Sequence, residues 1–202
     1  MRAELTTSRG IKKAEEVEPI KNLKDIQRIK RYLLGKQDKR DYLMFVLGIN
    51  IGLRASDLLA LKIDDVIDAS KVTVQEQKTK KIKKFTLNKS AKDAIKLYLD
   101  SLGSYNPEDY LFKSQKGGHL TVSSAHRIIK GIMRELGIRG NFGTHSLRKT
   151  FGYHLYTNNI TTDAGFLNTL QKIYNHSSSL VTLRYIGITS EVISDAYKSL
   201  NL

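Results

Sequence analysis

Hydrophobic residues along most of the chain recur at the spacing of α-helices. Residues 41–51 are apolar on almost every side, which predicts a buried helix that ends at Gly52. A new helix is expected over residues 55–61, so Arg54 should lie in a tight turn between the two helices. Further helical patterns cover residues 19–34, 91–102, 122–136, 146–158, 163–174, 180–186 and 191–200. The chain is therefore predicted to be mainly α-helical.

One segment follows a different pattern. Residues 71–87, KVTVQEQKTKKIKKFTL, have apolar positions on both sides of a polar centre. This pattern predicts a β-hairpin with residues 78–81 near its tip. The apolar positions are Val72 and Val74 before the centre and Ile82, Phe85 and Leu87 after it. The predicted fold class is thus mainly α with a small β-hairpin or sheet (α+β).

Three boundaries follow from local sequence. Pro19 is expected to open the first helix, because proline is favoured in the first helical turn. Thr144 is expected to cap the helix over residues 146–158, because its hydroxyl can accept a hydrogen bond from a free N–H group. Residues 1–18 contain charges of both signs and show neither the helical nor the strand period. This predicts a flexible N-terminal arm ahead of one domain over residues 19–202.

The charge of the chain favours a polyanionic partner. Its 34 Lys and Arg residues outnumber 20 Asp and Glu residues, for a formal net charge of +14. Nucleic acid is the leading interpretation, with RNA and acidic membrane surfaces open at this stage. The longest apolar stretch, YLMFVLGINIGL, is too short to span a bilayer, so a soluble protein is expected. The absence of cysteine excludes disulfides, thiolate metal sites and cysteine nucleophiles.

Cationic side chains gather where the helix over residues 146–158 is predicted to begin. In GTHSLRKTFGYHLYTNN, residues 143–159, His145 and Arg148 are three positions apart and therefore neighbours on one helix face. The helix dipole disfavours positive charge at this end, but a bound phosphate would turn that cost into attraction. The alternative is that these cationic residues reflect only the basic composition of the chain, and that His145 caps the helix or packs against it.

Two further stretches combine polar residue types in a similar way. In GLRASDLLAL, Asp57 follows Arg54 by three residues and could hold its guanidinium group, although a structural ion pair explains the same spacing. In YNHSSSLVTLRYIGI, His176 precedes a serine-rich helix start, and Tyr185 lies nine residues later. A tyrosine in this setting, taken alone, indicates packing rather than a nucleophile.

Taken together, these stretches resemble the tyrosine recombinase, or phage integrase, family. GLRASDLLAL, THSLRKTFGYH and YNHSSSLVTLRYIGI are similar to its three signature boxes in the same order, and QKTKKIKKFTL resembles its catalytic-lysine hairpin. The similarity covers about residues 19–202, so the resemblance implies a catalytic domain there. In the third box Asn175 stands where relatives more often have glycine, and asparagine can adopt the same left-handed conformation.

The resemblance also implies a role for each matching residue. The implied catalytic residues are Arg54, Lys78, His145, Arg148, His176 and Tyr185. The two arginines bind the scissile phosphate, Lys78 is the general acid, the two histidines assist proton transfer and phosphate binding, and Tyr185 attacks. Lys80 or Lys81 would replace Lys78 if the register of the hairpin turn differs.

The residue types suit this chemistry. Two guanidinium groups can meet the charge on two non-bridging phosphate oxygens, so neither a metal nor another cofactor is expected. A cationic site favours the phenolate over the neutral tyrosine, and a histidine can accept the proton. A phosphotyrosyl bond keeps the energy of the broken DNA linkage, so a 5′ hydroxyl can reverse the attack.

The predicted function is that of a site-specific DNA recombinase or integrase of a phage or other mobile element. It would cleave and rejoin double-stranded DNA through a 3′-phosphotyrosyl intermediate, in the cytoplasm and without a membrane. Self-assembly on DNA and accessory DNA-binding proteins are expected partners. The chain would be either part of a longer integrase or a naturally short enzyme. A non-catalytic integrase-like DNA-binding module or regulator is the alternative, and a relaxing topoisomerase would share the chemistry.

Overall fold

Helices make up most of the structure, a computed structural model that describes residues 16–188 and 197–198. The helices in these residues are α1 (Leu23–Leu34), α2 (Arg40–Ile51), α3 (Ala55–Leu59), α4 (Lys89–Leu102), α5 (Val122–Glu135), α6 (Thr144–Asn159), α7 (Phe166–Tyr174) and α8 (Ser179–Ile186). The strands β1 (Lys71–Gln75) and β2 (Ile82–Thr86) form an antiparallel pair. The predicted fold class, mainly α with a small β-hairpin, is confirmed.

Helix α2 lies at the centre of the main hydrophobic core. Residues 43–48 of this helix are buried, and it packs against α1, α3, α4 and α6. The predicted stop at Gly52 is confirmed, since this residue adopts a left-handed conformation with φ of 60°. A Cβ atom at Gly52 would lie 2.3 Å from a ring carbon of Phe151 on α6, so glycine also allows the close approach of the two helices. Arg54 is then the residue directly before α3 and lies between two helices, as predicted.

Three predicted helix starts are wrong, and one of them is that of the helix predicted over residues 163–174, which begins at Phe166. The first helix begins at Leu23 rather than at Pro19, because the Asn22 side chain accepts a hydrogen bond from the Lys24 N–H group and caps it. Thr144 is the first residue of α6 and not its cap. Gly143 precedes α6, and its N–H group donates to the Ser146 hydroxyl over 3.0 Å.

One of the five apolar residues of the hairpin, Ile82, lies on its outward face. Val72 pairs with Phe85 and Val74 with Lys83 across the two strands. Ile82 is 69% exposed, whereas Lys83 and Phe85 are partly buried. Side chains alternate strictly along a strand, so Ile82 and Phe85, three positions apart, cannot share a face. The face that carries Phe85 therefore also carries Lys83.

A second, smaller core joins α6, α7 and α8. Its buried residues are Leu170, Tyr174, Ile186 and Ile188. Gly152 on α6 makes this packing close, because a Cβ atom there would lie 2.1 Å from the Tyr174 hydroxyl oxygen. Asn175 ends α7 in the predicted left-handed conformation, with φ of 55°. The chain thereby turns back toward α6, and the segment that carries His176 and Tyr185 follows.

The chain ahead of α1 lies against α6 where it is described. The Glu18 N–H group donates to the Asn141 carbonyl over 2.8 Å, and the Ile20 N–H group donates to the Thr150 hydroxyl over 2.8 Å. Residues 1–15 of the predicted arm and most of the predicted helix over residues 191–200 lie outside the described residues. None of the described helices is both long and apolar enough for a membrane span.

Candidate active site

An open cleft of about 350 Å³ brings together distant parts of the chain. Its lining residues are Arg54, Ala55, Ser56, Lys78, Val122, His145, Arg148, His176 and Tyr185. All six residues that the sequence singled out are among them. They come from the start of α3, the hairpin turn, the first turns of α6, the turn after α7, and α8.

Arg148 is held rigidly below the cleft. It is only 3% exposed, and its Nη1 atom donates to the Gly52 carbonyl over 2.6 Å. Its guanidinium carbon lies 4.5 Å from the centre of the Tyr174 ring. The Tyr174 hydroxyl in turn donates to the Arg148 carbonyl over 2.6 Å. These contacts fix the plane of the guanidinium group, which is the condition for directed binding of a phosphate.

Arg54 is oriented mainly by a carboxylate that the sequence did not single out. Its Nη1 atom lies 2.6 Å from Glu76 Oε1 but 3.9 Å from Asp57 Oδ2. Asp57 instead accepts a hydrogen bond from the Gln77 N–H group, which ties α3 to the hairpin turn. Burial raises the pKa of the Glu76 carboxyl, but hydrogen bonds from Arg54 and Thr79 outweigh it and leave that pKa below its usual value. The strand period predicts this inward position, since Val72, Val74 and Glu76 alternate on one face.

Both histidines of the cleft have a pKa below the usual value, so both are neutral near pH 7. Burial lowers the pKa of His145, and the charges of Arg148 and Lys149 lower it further. Burial and the charge of Arg148 likewise lower the pKa of His176. A neutral imidazole can accept a proton, which an imidazolium cannot.

The hydrogen bonds around His176 indicate which ring nitrogen is free. His176 Nδ1 lies 3.2 Å from the Thr182 hydroxyl oxygen. The Thr182 hydroxyl donates to the Ser178 carbonyl, so its oxygen accepts from His176 Nδ1–H. This tautomer, assigned from the hydrogen bonds, leaves Nε2 as a proton acceptor.

Tyr185 lies among aromatic and cationic groups. Its ring centre is 5.1 Å from that of His176 and 5.3 Å from that of Tyr174, both close to edge-on. Burial raises the pKa of the Tyr185 hydroxyl, and the nearby charge of Arg148 offsets part of the rise. Tyr174 is unsuited to attack a phosphate, because it is 1% exposed and its hydroxyl is bonded to the Arg148 carbonyl.

The lysines of the hairpin occupy different surroundings. Lys78 is exposed in the turn and lines the cleft. Lys81 donates to the Asn175 side chain over 3.2 Å, and Lys80 adopts a left-handed conformation with φ of 57°. Of these three lysines, only Lys78 is among the residues that line the cleft.

Sequence reasoning did not single out Lys83, which forms a cationic cluster with Arg54 and Arg148. Its Nζ atom is buried and has no hydrogen-bond partner among the described residues. Burial lowers the pKa of its ammonium group to about 8, with a further contribution from the charge of Arg148. Counting back by two from Phe85 would have placed Lys83 on the inward face of the strand.

Comparison with known proteins gives consistent matches. The model of the phage integrase family matches residues 19–191. The probable integrase/recombinase YoeC of Bacillus subtilis (strain 168) is 42% identical over 183 residues, which cover 90% of this chain and 96% of YoeC. The solved structure of XerA recombinase superposes with a TM-score of 0.71 at 24% identity, and that of XerH recombinase bound to its difH substrate with 0.66 at 20%.

The matches differ in how much of each relative they cover. They extend over 92% and 91% of this chain but only 64% of the XerA chain and 55% of the XerH chain. The fold of this chain is that of tyrosine recombinase catalytic domains. The predicted family, fold class and enzyme class are confirmed, and the matches favour a strand-transferring recombinase over a non-catalytic module. With a family model over residues 19–191 and a relative as similar as YoeC, the chain belongs to the phage integrase family of tyrosine recombinases.

Proposed function

We propose that this protein cleaves and rejoins double-stranded DNA at specific sites, with Tyr185 as the nucleophile and a 3′-phosphotyrosyl bond as the intermediate. The observation that carries the proposal is the single cleft in which all six predicted residues meet. The proposed activity places the protein on DNA in the cytoplasm. Self-assembly on DNA and accessory DNA-binding proteins belong to the same proposal.

The cleft offers a binding place for the scissile phosphate. Arg148 and Arg54 are each held by partners that use only part of their donors, so the remaining N–H groups can bind the two non-bridging oxygens. Charge that develops on those oxygens during attack then meets fixed positive groups without reorganisation. His145, at the same wall, is neutral near pH 7 and can donate one hydrogen bond or accept one.

Proton transfers complete the reaction. Tyr185 Oη attacks phosphorus as its proton passes to a histidine, and His176, whose ring lies against that of Tyr185 and whose Nε2 is unprotonated, is the proposed acceptor. The bond from Oη to phosphorus forms, and the bond from phosphorus to the 5′ oxygen breaks. Lys78 donates a proton to that departing oxygen. Rejoining reverses each step, with a 5′ hydroxyl as the nucleophile.

A nicked suicide duplex tests the proposed function. Wild-type protein should become covalently attached at a 3′ phosphate, and the attached peptide should contain Tyr185. Attachment should persist in EDTA, because Arg54 and Arg148 neutralise the charge that Mg²⁺ meets in carboxylate nucleases. Strict dependence on added divalent metal would contradict the proposed mechanism. Absence of any adduct on several duplexes would favour the binding-module alternative.

A second assay separates recombination from DNA relaxation, since both use the same chemistry. A recombinase should join strands from two duplexes, whereas a topoisomerase should only relax a supercoiled plasmid. Relaxation without any joined product would reject the recombinase but retain the proposed site.

The role of Lys78 can be tested with a sulfur leaving group. Lys78→Ala should lower cleavage of ordinary DNA by at least about 100-fold, a typical contribution of a general acid. Cleavage of a duplex with sulfur in place of the 5′ bridging oxygen should be close to normal. A thiol has a pKa of about 8.5, so a thiolate departs without a proton donor.

Matched variants identify the acid among neighbouring lysines. Lys81→Ala should change the cleavage of either duplex little. Lys83→Met should lower the cleavage of both duplexes by a similar factor, because the Lys83 charge adds to the cationic cluster without reaching the leaving oxygen. Rescue of Lys83→Met by sulfur, with none for Lys78→Ala, would transfer the role of general acid to Lys83.

A further inference from the structure

Lys149 stands beside the proposed nucleophile and has no part in the mechanism above. It follows Arg148 on α6 and is only 4% exposed, which is unusual for a lysine. Its Nζ atom lies 5.0 Å from the centre of the Tyr185 ring. A positive charge at this distance over a ring face is attracted to the ring, and the attraction strengthens when the phenol ionises.

The counter-ion of Lys149 comes from the chain ahead of α1. Lys149 Nζ donates to Glu16 Oε1 over 2.6 Å. The two ends of this ion pair differ in environment, since the Lys149 side chain is 5% exposed and that of Glu16 is 65% exposed. The N–H groups of Glu18 and Ile20 hold this stretch of chain beside α6, through the Asn141 carbonyl ahead of the helix and the Thr150 hydroxyl within it. Glu16 therefore closes the site of Lys149 from the solvent side.

The two members of the pair act on Tyr185 in opposite directions. By Coulomb's law, a positive charge at the distance of Lys149 favours the phenolate. Burial raises the pKa of the Tyr185 hydroxyl, the charges of Arg148 and Arg54 lower it, and the Glu16 carboxylate raises it. The other ionisable groups in ring contact with Tyr185 are Tyr174 and His176. His145 and Lys78 line the same cleft.

We propose that Lys149 is a positioning residue that holds the Tyr185 ring and favours its ionised form, and that Glu16 moderates this effect. The proposal rests on the proposed function, in which Tyr185 attacks the phosphate. It assigns to the segment before α1 an influence on chemistry 169 positions further along the chain. Displacement of Glu16 from Lys149 would leave the cation acting on the ring alone and would activate the nucleophile.

The pH dependence of single-turnover cleavage tests the proposal on the nicked duplex. Lys149→Met keeps the length of the side chain and removes its charge. In the wild type the cleavage rate should rise with pH, and in Lys149→Met we expect this rising limb of the pH–rate profile to lie at a pH about one unit higher. Cleavage near neutral pH should therefore fall about tenfold and recover in alkali. The limb reports the coupled ionisation of Tyr185 and its histidine neighbours, so the displacement between variants is the measured quantity.

Glu16→Gln supplies the opposite change at a largely exposed position, so it keeps the proposal testable if Lys149→Met folds poorly. Its limb should move to lower pH, and its rate near neutral pH should rise. Lys89→Met is the matched control for the loss of one positive charge, because Lys89 is exposed on α4, where it pairs with Asp93. Its pH profile should match that of the wild type.

Two outcomes are decisive. Suppose that wild-type protein forms the Tyr185 adduct, but each of the variants Lys149→Met and Glu16→Gln changes the rate by one constant factor at every pH. Lys149 is then a structural residue and this inference is wrong. If wild-type protein forms no adduct at Tyr185, the proposed function fails and the inference fails with it.

Discussion

Replacing Tyr185 with phenylalanine is expected to abolish strand cleavage while leaving the fold and DNA affinity nearly unchanged. The substitution removes only a hydroxyl group, and the phenyl ring keeps its contacts with Tyr174 and His176. Without the oxygen nucleophile no phosphotyrosyl bond can form. We expect the loss of cleavage to reach at least roughly 1,000-fold, since removal of a nucleophile is among the most damaging changes an active site can undergo.

Denaturing gels on the nicked duplex measure this effect. The Tyr185→Phe variant should bind the duplex and release it intact on denaturation. Tyr197→Phe is the matched control, because it removes the same hydroxyl from a residue that is 79% exposed. Its adduct yield should equal that of the wild type. An adduct mapped to a different tyrosine, or normal cleavage by Tyr185→Phe, would falsify the assignment of the nucleophile.

Arg148→Lys is expected to lower cleavage by at least about 100-fold although the charge is kept, as for the loss of one directed donor to a developing oxyanion. A lysine ammonium cannot bond the Gly52 carbonyl and a phosphate oxygen with the fixed geometry of a guanidinium group. It also loses the stacking of the planar group on the Tyr174 ring. The defect should therefore lie in the chemical step more than in DNA affinity.

Single-turnover cleavage and equilibrium binding, measured side by side, separate these two effects. Arg31→Lys is the matched control, because Arg31 is exposed on α1 and lies outside the cleft. Thermal unfolding of both variants shows whether the buried substitution weakens the fold. Near-normal cleavage by Arg148→Lys would show that this arginine is structural and would reject the phosphate-binding arrangement.

Several local features could be predicted because they depend on neighbouring residues alone. The stop of α2 at Gly52 and the left-handed Asn175 follow from the few residues around each of them. The start of the first helix was missed because two capping signals compete within four residues, and Asn22 offers a side-chain acceptor that Pro19 lacks. Local competition of this kind is decided by small energy differences.

Contacts between distant segments could not be predicted in the same way. The sequence suggested Asp57 as the partner of Arg54 because the two are three residues apart. The structure keeps these two side chains 3.9 Å apart, but it brings Glu76 on the hairpin closer, with its carboxylate 2.6 Å from the Arg54 Nη1 atom. A spacing of three residues predicts contact within one helix, whereas the hairpin approaches α3 through the packing of the whole domain.

The sequence by itself determined the family, the helical character, the hairpin and a set of six candidate residues, because these depend on residue identity and short-range periodicity. Their roles stay predictions that the variants above test. Only the tertiary structure decided that the six meet in one cleft, that Lys83 is buried behind it, and that Glu16 reaches Lys149 beside Tyr185. Such contacts join residues far apart in the chain, and the burial that shifts a pKa or aligns a guanidinium group arises only when distant segments pack together.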